Sequence, residues 1–439
     1  MKHVPCLFLI LCAVICIPCP RAFGGQAANP LAELLKSSNE KIRAKAAQDL
    51  GQSGDSSVVP ALTAALTDPS TKVREQVIVA LDRLHTVPAL HGLLTATKDS
   101  DADVRAFAVR TVIGWYTGVI PEPGFTGMVK KNYRNAKEAI QGTSTAVGPG
   151  TRVDSQVTAA LVAAMEDSQS MPAAREAAQG LGTLFARSAV PALVKAAHSP
   201  DADLATNALN ALSRIKDVSA GPELVDLLDS LSREVRQTAC VTVGVLRTRG
   251  AVPKLQQIYQ DDPDKDNRES ALNGLAFIGD PASYATFIQA LSSNDKHNRA
   301  YAAEGLARAR VAKAASALDK RMEIEKDGDV KLAIQFAQNS LGESQHLQDL
   351  VDALGSRTRG AVAQSYLIEL ARRKNILSAL YAYLHSGNAA IRRRLCTVLM
   401  YSGDGSSLSY LQPLTRDHNS DVAAEAVRAE RAIRARTAA

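Results

Sequence analysis

Aromatic residues make up only 4% of this 439-residue chain, which holds a single tryptophan, Trp115. Alternating runs of β-branched residues, the usual mark of a half-buried strand, are equally scarce. Nothing therefore points to a sheet. Alanine, leucine, valine and charged residues dominate, as in an all-helical stack. Long apolar runs are missing too: the stretch Val4 to Ile17 is shorter than the roughly 20 residues a helix needs to cross a bilayer, and no later segment supplies such a span. Cysteine is sparse once position is considered. Of six, Cys6, Cys12, Cys16 and Cys19 crowd the first twenty residues, which leaves Cys240 and Cys396. Two distant cysteines at apolar helical positions behave as small buried hydrophobes and give no disulfide framework.

The N-terminus reads as a secretory signal over residues 1–24. Met1-Lys2-His3 precedes the apolar stretch, and Pro18, Pro20 and the small residues Ala22 and Gly24 follow it. Cleavage is expected after Gly24, with Ala27 as the alternative. A lipoprotein signal needs a small residue before its cysteine, whereas Cys19 follows Pro18 and Cys16 follows Ile15. The mature chain is expected to be periplasmic or extracellular.

One phrase recurs down the rest of the chain: an aliphatic residue followed by arginine, small residues four and five later, and a leucine eight later. It reads Ile42-Arg43 with Ala46, Ala47 and Leu50, then Val73-Arg74 with Val77, Ile78 and Leu81, then Val104-Arg105 with Ala108, Val109 and Val112. Further copies start at Ala173, Leu204, Val235, Asn267, Asn298, Val330, Val362 and Ile391, with a truncated one at Val422; six of the steps are 31 residues. A second marker, proline opening another amphipathic run, falls at Pro60, Pro88, Pro191, Pro222 and Pro253, and proline suits the first turn of a helix. Each repeat is thus two helices. The spacing of three, four and eight puts the alanines and leucines on one face, and such a unit must stack on its neighbours to bury that face.

The residues Asp68 to Leu81 and Asp99 to Val112 resemble the short HEAT-like repeats of the PBS-lyase type. The resemblance implies an all-α, right-handed α-α superhelix, a solenoid of about eleven two-helix repeats. It covers residues 25–113 and 156–439. The fit is poorer near Val330 and Val362, where Leu341-Gly342 falls three residues late and a distorted helix is expected. Some members of that family attach bilins to cysteines of light-harvesting proteins; export and the lack of a matching motif argue against that activity here. The recurrent arginine admits two readings. Stacking, through bonds to turn carboxylates such as Asp68 and Asp103 or to helix-end carbonyls, accounts for it better than a ligand-binding ridge.

Two places break the regularity. The step from Val104 to Ala173 is 69 residues, one repeat plus an insertion over 114–155. It holds Trp115, Tyr116, Phe125 and Tyr133 together with Lys130, Lys131 and Arg134. Aromatic and basic residues on one exposed element make a binding patch, or the aromatics simply anchor the loop. The C-terminal part is the second place. From Gly355 to Ala439 there are 13 Lys and Arg against 6 Asp and Glu, with Arg392, Arg393 and Arg394 the densest run; the alternatives are an anion-binding surface and a solvated cap for the array.

Catalytic patterns are absent from the text of the chain. The histidines after His3 are scattered singly, and there is no His-Glu-x-x-His motif, Gly-x-Ser-x-Gly elbow or phosphate-cradling glycine loop. The acidic run Asp261 to Asp266 lacks the glycine and glutamate of a calcium loop. No cofactor or metal is indicated, and export disfavours nucleic acid. The expectation is an exported, non-catalytic scaffold that binds a protein or peptide through the insertion and a concave surface formed mainly by the second helices. The alternatives are an enzyme, lyase-like for example, with its site at the insertion and concave face, and a binder of an anionic envelope polymer.

Overall fold

The computed structural model describes residues 29–119, 153–343 and 346–437. All regular structure in them is helical. First helices begin at Glu40, Thr71, Ala102, Met171, Ala202, Arg233, Lys265, Lys296, Gly328, Gly360 and Ala389, and each is followed by a second, shorter α or 3-10 segment. We number these pairs as repeats 1 to 11; Ser420–Thr437 follows them as the closing helix of the described residues. The all-α repeat superhelix expected from the period is the fold.

Local chemistry explains the boundaries. Most first helices open on a short polar side chain that accepts a backbone N–H of the first turn, as Asn39, Asp101, Asp201, Ser232, Asp264 and Asp295 do. Proline sits in the first turn of the second helices at Pro60, Pro88, Pro191 and Pro253. Pro222 lies instead inside the 3-10 segment Val218–Leu224. The first helix of repeat 9, Gly328–Leu341, is continuous and ends on Gly342 at φ 113°. The late Leu-Gly pair therefore marks a helix terminus, where a distorted helix had been expected, because the left-handed conformation at that position is cheap only for glycine.

Small residues set the spacing between first helices. A Cβ added at Gly51 would lie 2.6 Å from the Ala80 Cα, and one at Gly244 the same distance from the Gly274 Cα. Backbones touch there. In an exposed helix, glycine to alanine stabilises by about 1 kcal/mol; here Gly244→Ala should destabilise by about 1 to 3 kcal/mol through overpacking. Its thermal midpoint, read by circular dichroism, should fall below that of the parent chain.

A ladder of arginines joins the repeats along the edge where each second helix turns into the next first helix. Arg74 gives Nε and Nη2 to the two oxygens of Asp99, at 2.7 and 2.8 Å, and Nη1 to the Asp68 carbonyl at 2.8 Å. Asp68 in turn holds Arg43 through its carboxylate, at 2.6 and 2.9 Å. Each turn thus serves two arginines, one by side chain and one by main chain. The pattern continues with Arg105 and Asp167, Arg236 and Asp262, Arg299 and Glu325, and Arg392 and Asp417; in repeat 4 Arg175, one residue out of register, pairs with Asp201 by side chain alone. Repeat 3 takes Asp167 from beyond the insertion, and the acid beneath Arg74 is Asp99; Asp103, singled out in the sequence, is not a rung.

Two rungs carry a pH dependence. Arg392 holds the Asp417 carboxyl at about 2, below its ordinary 3.8. Burial alone would raise Glu325, but Arg299, Arg321 and the backbone N–H groups of Asp327 and Lys326 bring it from 4.5 to about 2. Both folded values lie below the unfolded ones, so their stabilisation is complete above the ordinary carboxylate range and is lost as pH falls from there toward 2. The thermal midpoint should drop across that window, and the double variant Glu325→Gln/Asp417→Asn should start lower at neutral pH and decline less on acidification.

Candidate functional site

Buried and half-buried side chains of the first helices converge in repeats 8 to 10. Arg308, near the end of the first helix of repeat 8, gives Nη1 to Glu304 at 3.0 Å and to the Ala276 carbonyl at 3.2 Å, and Nε to Glu369 of repeat 10 at 3.1 Å. Its guanidinium lies 5.0 Å from the centre of the Phe277 ring and 5.6 Å from that of Phe336, within range of cation–π attraction. Phe336 stacks on Tyr366 at 4.4 Å, and the Tyr366 hydroxyl donates to Glu304 at 2.6 Å. Arg247, just past the first helix of repeat 6, reaches Glu369 at 3.7 Å.

These contacts skip a repeat. Repeats 8 and 10 can meet only if the array bends toward its first helices, so over this stretch the inner side is built from first helices. That corrects the expectation that second helices form it. The reason is packing: alanine and glycine let first helices close up.

Charge within the cluster is compensated. Burial alone would lower the Arg308 pKa, but Glu304 and Glu369 outweigh it and the pKa rises. Burial first, and the Glu304 charge second, push the Tyr366 phenol well above its ordinary 10. An arginine, two carboxylates and a phenol satisfy one another, and the arrangement is a clamp across three repeats. Single-residue reading missed it. The signal that finds it is a double period, since Glu304 and Tyr366 are 62 residues apart and Arg308 and Glu369 are 61.

The residues singled out in the sequence are separated by the structure. Trp115 and Tyr116 lie on the last turns of the helix Ala102–Thr117. The Trp115 ring stacks on His85 of the preceding repeat at 3.8 Å, and the Tyr116 hydroxyl accepts the Asp154 N–H at 3.3 Å, bridging the two ends of the insertion. Both act as anchors. Phe125, Lys130, Lys131, Tyr133 and Arg134 lie outside the described residues. Arg392 is buried, bonded to both Asp417 oxygens at 2.8 Å, and belongs to the ladder. Arg393 is exposed and Arg394 half-buried; among the described residues Arg394 reaches only the Gln364 amide oxygen, at 3.4 Å.

A second concavity, of about 810 Å³, lies between the second segments of repeats 4 and 5, where His198 meets Asp226 at 3.2 Å. Burial lowers the His198 pKa, but the Val194 carbonyl and Asp226 outweigh it and the pKa rises. No serine or cysteine accompanies the pair among the residues lining that concavity. Cys240 and Cys396 are buried, and desolvation pushes both thiols up to about 12, which leaves them without thiolate reactivity near neutral pH. Among the described residues no group of three or more His, Cys, Asp or Glu is placed to hold a metal.

The family model for HEAT repeats matches residues 28–113, 158–244 and 252–339, more than half of the chain. The chain belongs to the HEAT-repeat family. Among solved structures, an engineered protein resembles this HEAT array at 17% identity and a TM-score of 0.40, over 92% of this chain and 98% of that one. The complex of CpcE and CpcF of phycocyanin lyase from Nostoc sp. is similar at 20% identity and a TM-score of 0.34, over 57% of this chain and 94% of that one. No curated protein matches the chain.

The clamp joins HEAT repeats that are not neighbours, which gives it a distinctive signature. Tyr366→Phe removes the 2.6 Å bond to Glu304 and should cost about 2 kcal/mol. Amide hydrogen exchange should rise in both 296–309 and 360–370, whereas damage confined to one repeat would raise only the second.

Proposed function

We propose that this HEAT-repeat protein is a non-catalytic scaffold, exported from the cytoplasm, that holds an acidic protein or peptide on the first-helix face of its C-terminal repeats. One contrast carries the reading. The ladder arginines are committed to carboxylates or carbonyls of the fold, whereas Arg393 and Arg394 have no carboxylate partner among the described residues. Arg394 even has its pKa lowered, by desolvation and by Arg393 beside it, so an incoming carboxylate relieves a standing repulsion. Tyr401, 53% exposed, follows Arg394 by two helical turns on the same face. Arg431 is exposed on the closing helix, which is tied to this one by a 2.7 Å bond from Thr397 to Glu425; Arg428 beside it is paired with Glu425 at 2.8 Å. Cations beside an exposed aromatic suit an acidic partner.

The enzymatic alternative finds less support, since Glu304 and Glu369 are both held by Arg308. Export rests on residues 1–24, which lie outside the described residues, and on no other feature.

Crosslinking in intact cells followed by affinity capture tests the reading. The parent chain should recover a defined acidic partner, and Arg393→Glu/Arg394→Glu should recover it about tenfold less at physiological salt; Arg392 is left intact because it supports the fold. Equal recovery by both chains overturns the proposal. Attachment to the envelope that salt releases with no crosslinked protein would transfer the same cations to an anionic polymer. The captured chain should begin at or near Gly25 by N-terminal mass spectrometry, and one that retains Met1 defeats export.

A further inference from the structure

One rung of the ladder differs from the rest. Arg268 of repeat 7 keeps the main-chain half of the pattern, with Nη1 on the Asp262 and Pro263 carbonyls at 2.6 and 3.1 Å. Among the described residues no carboxylate pairs with it. The register explains why. Arg43, Arg74 and Arg392 find their acids 25 residues on, and for Arg268 that position is Ser293. Ser293 fills the local role of the missing acid, its Oγ accepting the Asp295 N–H at 3.1 Å.

A second donor is aimed at the same place. At the preceding turn Asp262 is held from two sides, by Arg236 Nε at 3.3 Å and by Asn267 Nδ2 at 3.1 Å from both carboxylate oxygens. One repeat later the same pair of donor types recurs as Arg268 and Asn298. Asn298 Nδ2 reaches only the Ser293 hydroxyl, at 3.5 Å, and its buried Oδ1 has no partner. Where the acid stands elsewhere there is an open-mouthed cavity of about 500 Å³, lined by Tyr259, Gln260, Lys265, Arg268, Gln289 and Asn298. That volume is ordinary for a small-molecule site.

We propose that this cavity binds the carboxylate of a ligand, which takes the place a ladder aspartate occupies in other repeats. Arg268 supplies a two-pronged Nε and Nη2 contact, the Asn298 amide a third bond, and Gln260 and Gln289 amide groups for the remainder of the ligand. Burial raises the Tyr259 phenol above its ordinary 10, so its ring borders the cavity without adding negative charge. The site lies in repeats 6 to 8, apart from the arginines of the C-terminal face. The carboxylate comes from a small acid or from the free C-terminus of a peptide, and both sources fit the same donors.

Titration calorimetry on the mature chain distinguishes them. The probes are succinate against succinamide, and a short Gly-Ala peptide with a free C-terminus against its C-terminal amide. At least one acid should bind at least about tenfold more tightly than its amide, and which acid does so names the source. Arg268→Gln should abolish that preference. Ser293→Asp puts an internal acid in the ladder register; it should abolish binding by the parent's preferred probe and raise the thermal midpoint, so that loss of binding is not loss of fold. If neither acid binds better than its amide the proposal is overturned, as it is if the preference survives in Ser293→Asp.

Discussion

Most joints between repeats in this molecule depend on a guanidinium shared between two kinds of acceptor. A carboxylate in one turn takes the Nε and Nη2 edge of an arginine, while carbonyls of the preceding turn take Nη1. An isolated buried ion pair gains little after desolvation. Here the same side chain also satisfies main-chain oxygens that follow a helix end and would otherwise be left without donors. The carboxylate is likewise occupied twice, by arginine and by a backbone N–H of its own turn, as Asp68 is by Ser70. Each rung therefore completes hydrogen bonding in two turns at once, which explains why arginine recurs where lysine, with its single point of charge, would leave one set of acceptors unfilled.

The apolar side of the repeats does a different job. Alanine and glycine on the first helices fix how near successive backbones come, and that spacing bends the array toward the first-helix side. The bend brings Glu304 and Arg308 to Tyr366 and Glu369. It also determines which cations stay available: those drawn into turns, such as Arg392, or into the bend, such as Arg308, are used by the fold, and Arg393 and Arg394 are not. Function is then assigned by subtraction, from side chains that the repeat pattern does not consume.

How legible this was in the sequence follows from the range of each interaction. The period, the two-helix unit, the proline starts and the stacking role of Arg43 and Arg74 all depend on residues within one repeat, so a 31-residue window exposes them. Asp99 was harder. Its arginine lies 25 residues earlier, whereas Asp103 stands almost beside the next arginine, Arg105. The side that faces inward was misplaced, because curvature reflects the difference between two helix spacings and no single residue states it. Trp115 and Tyr116 stood out by composition, yet His85 and Asp154 decide what they do. The Arg392 to Arg394 run looked uniform as text, and helical periodicity divides it, since successive residues on a helix point about 100° apart.

The Arg308 clamp changes what kind of object the array is. A stack held only by neighbour-to-neighbour joints stretches and twists like a spring, each joint yielding a little under load. A tie from repeat 8 to repeat 10 closes a ring of contacts through Phe336 of repeat 9, and a ring resists extension as a unit. The molecule is therefore elastic toward its two ends with a stiff hub between them, so a load taken up by the C-terminal helices would be borne by the repeats beyond the hub before it reached those that precede it.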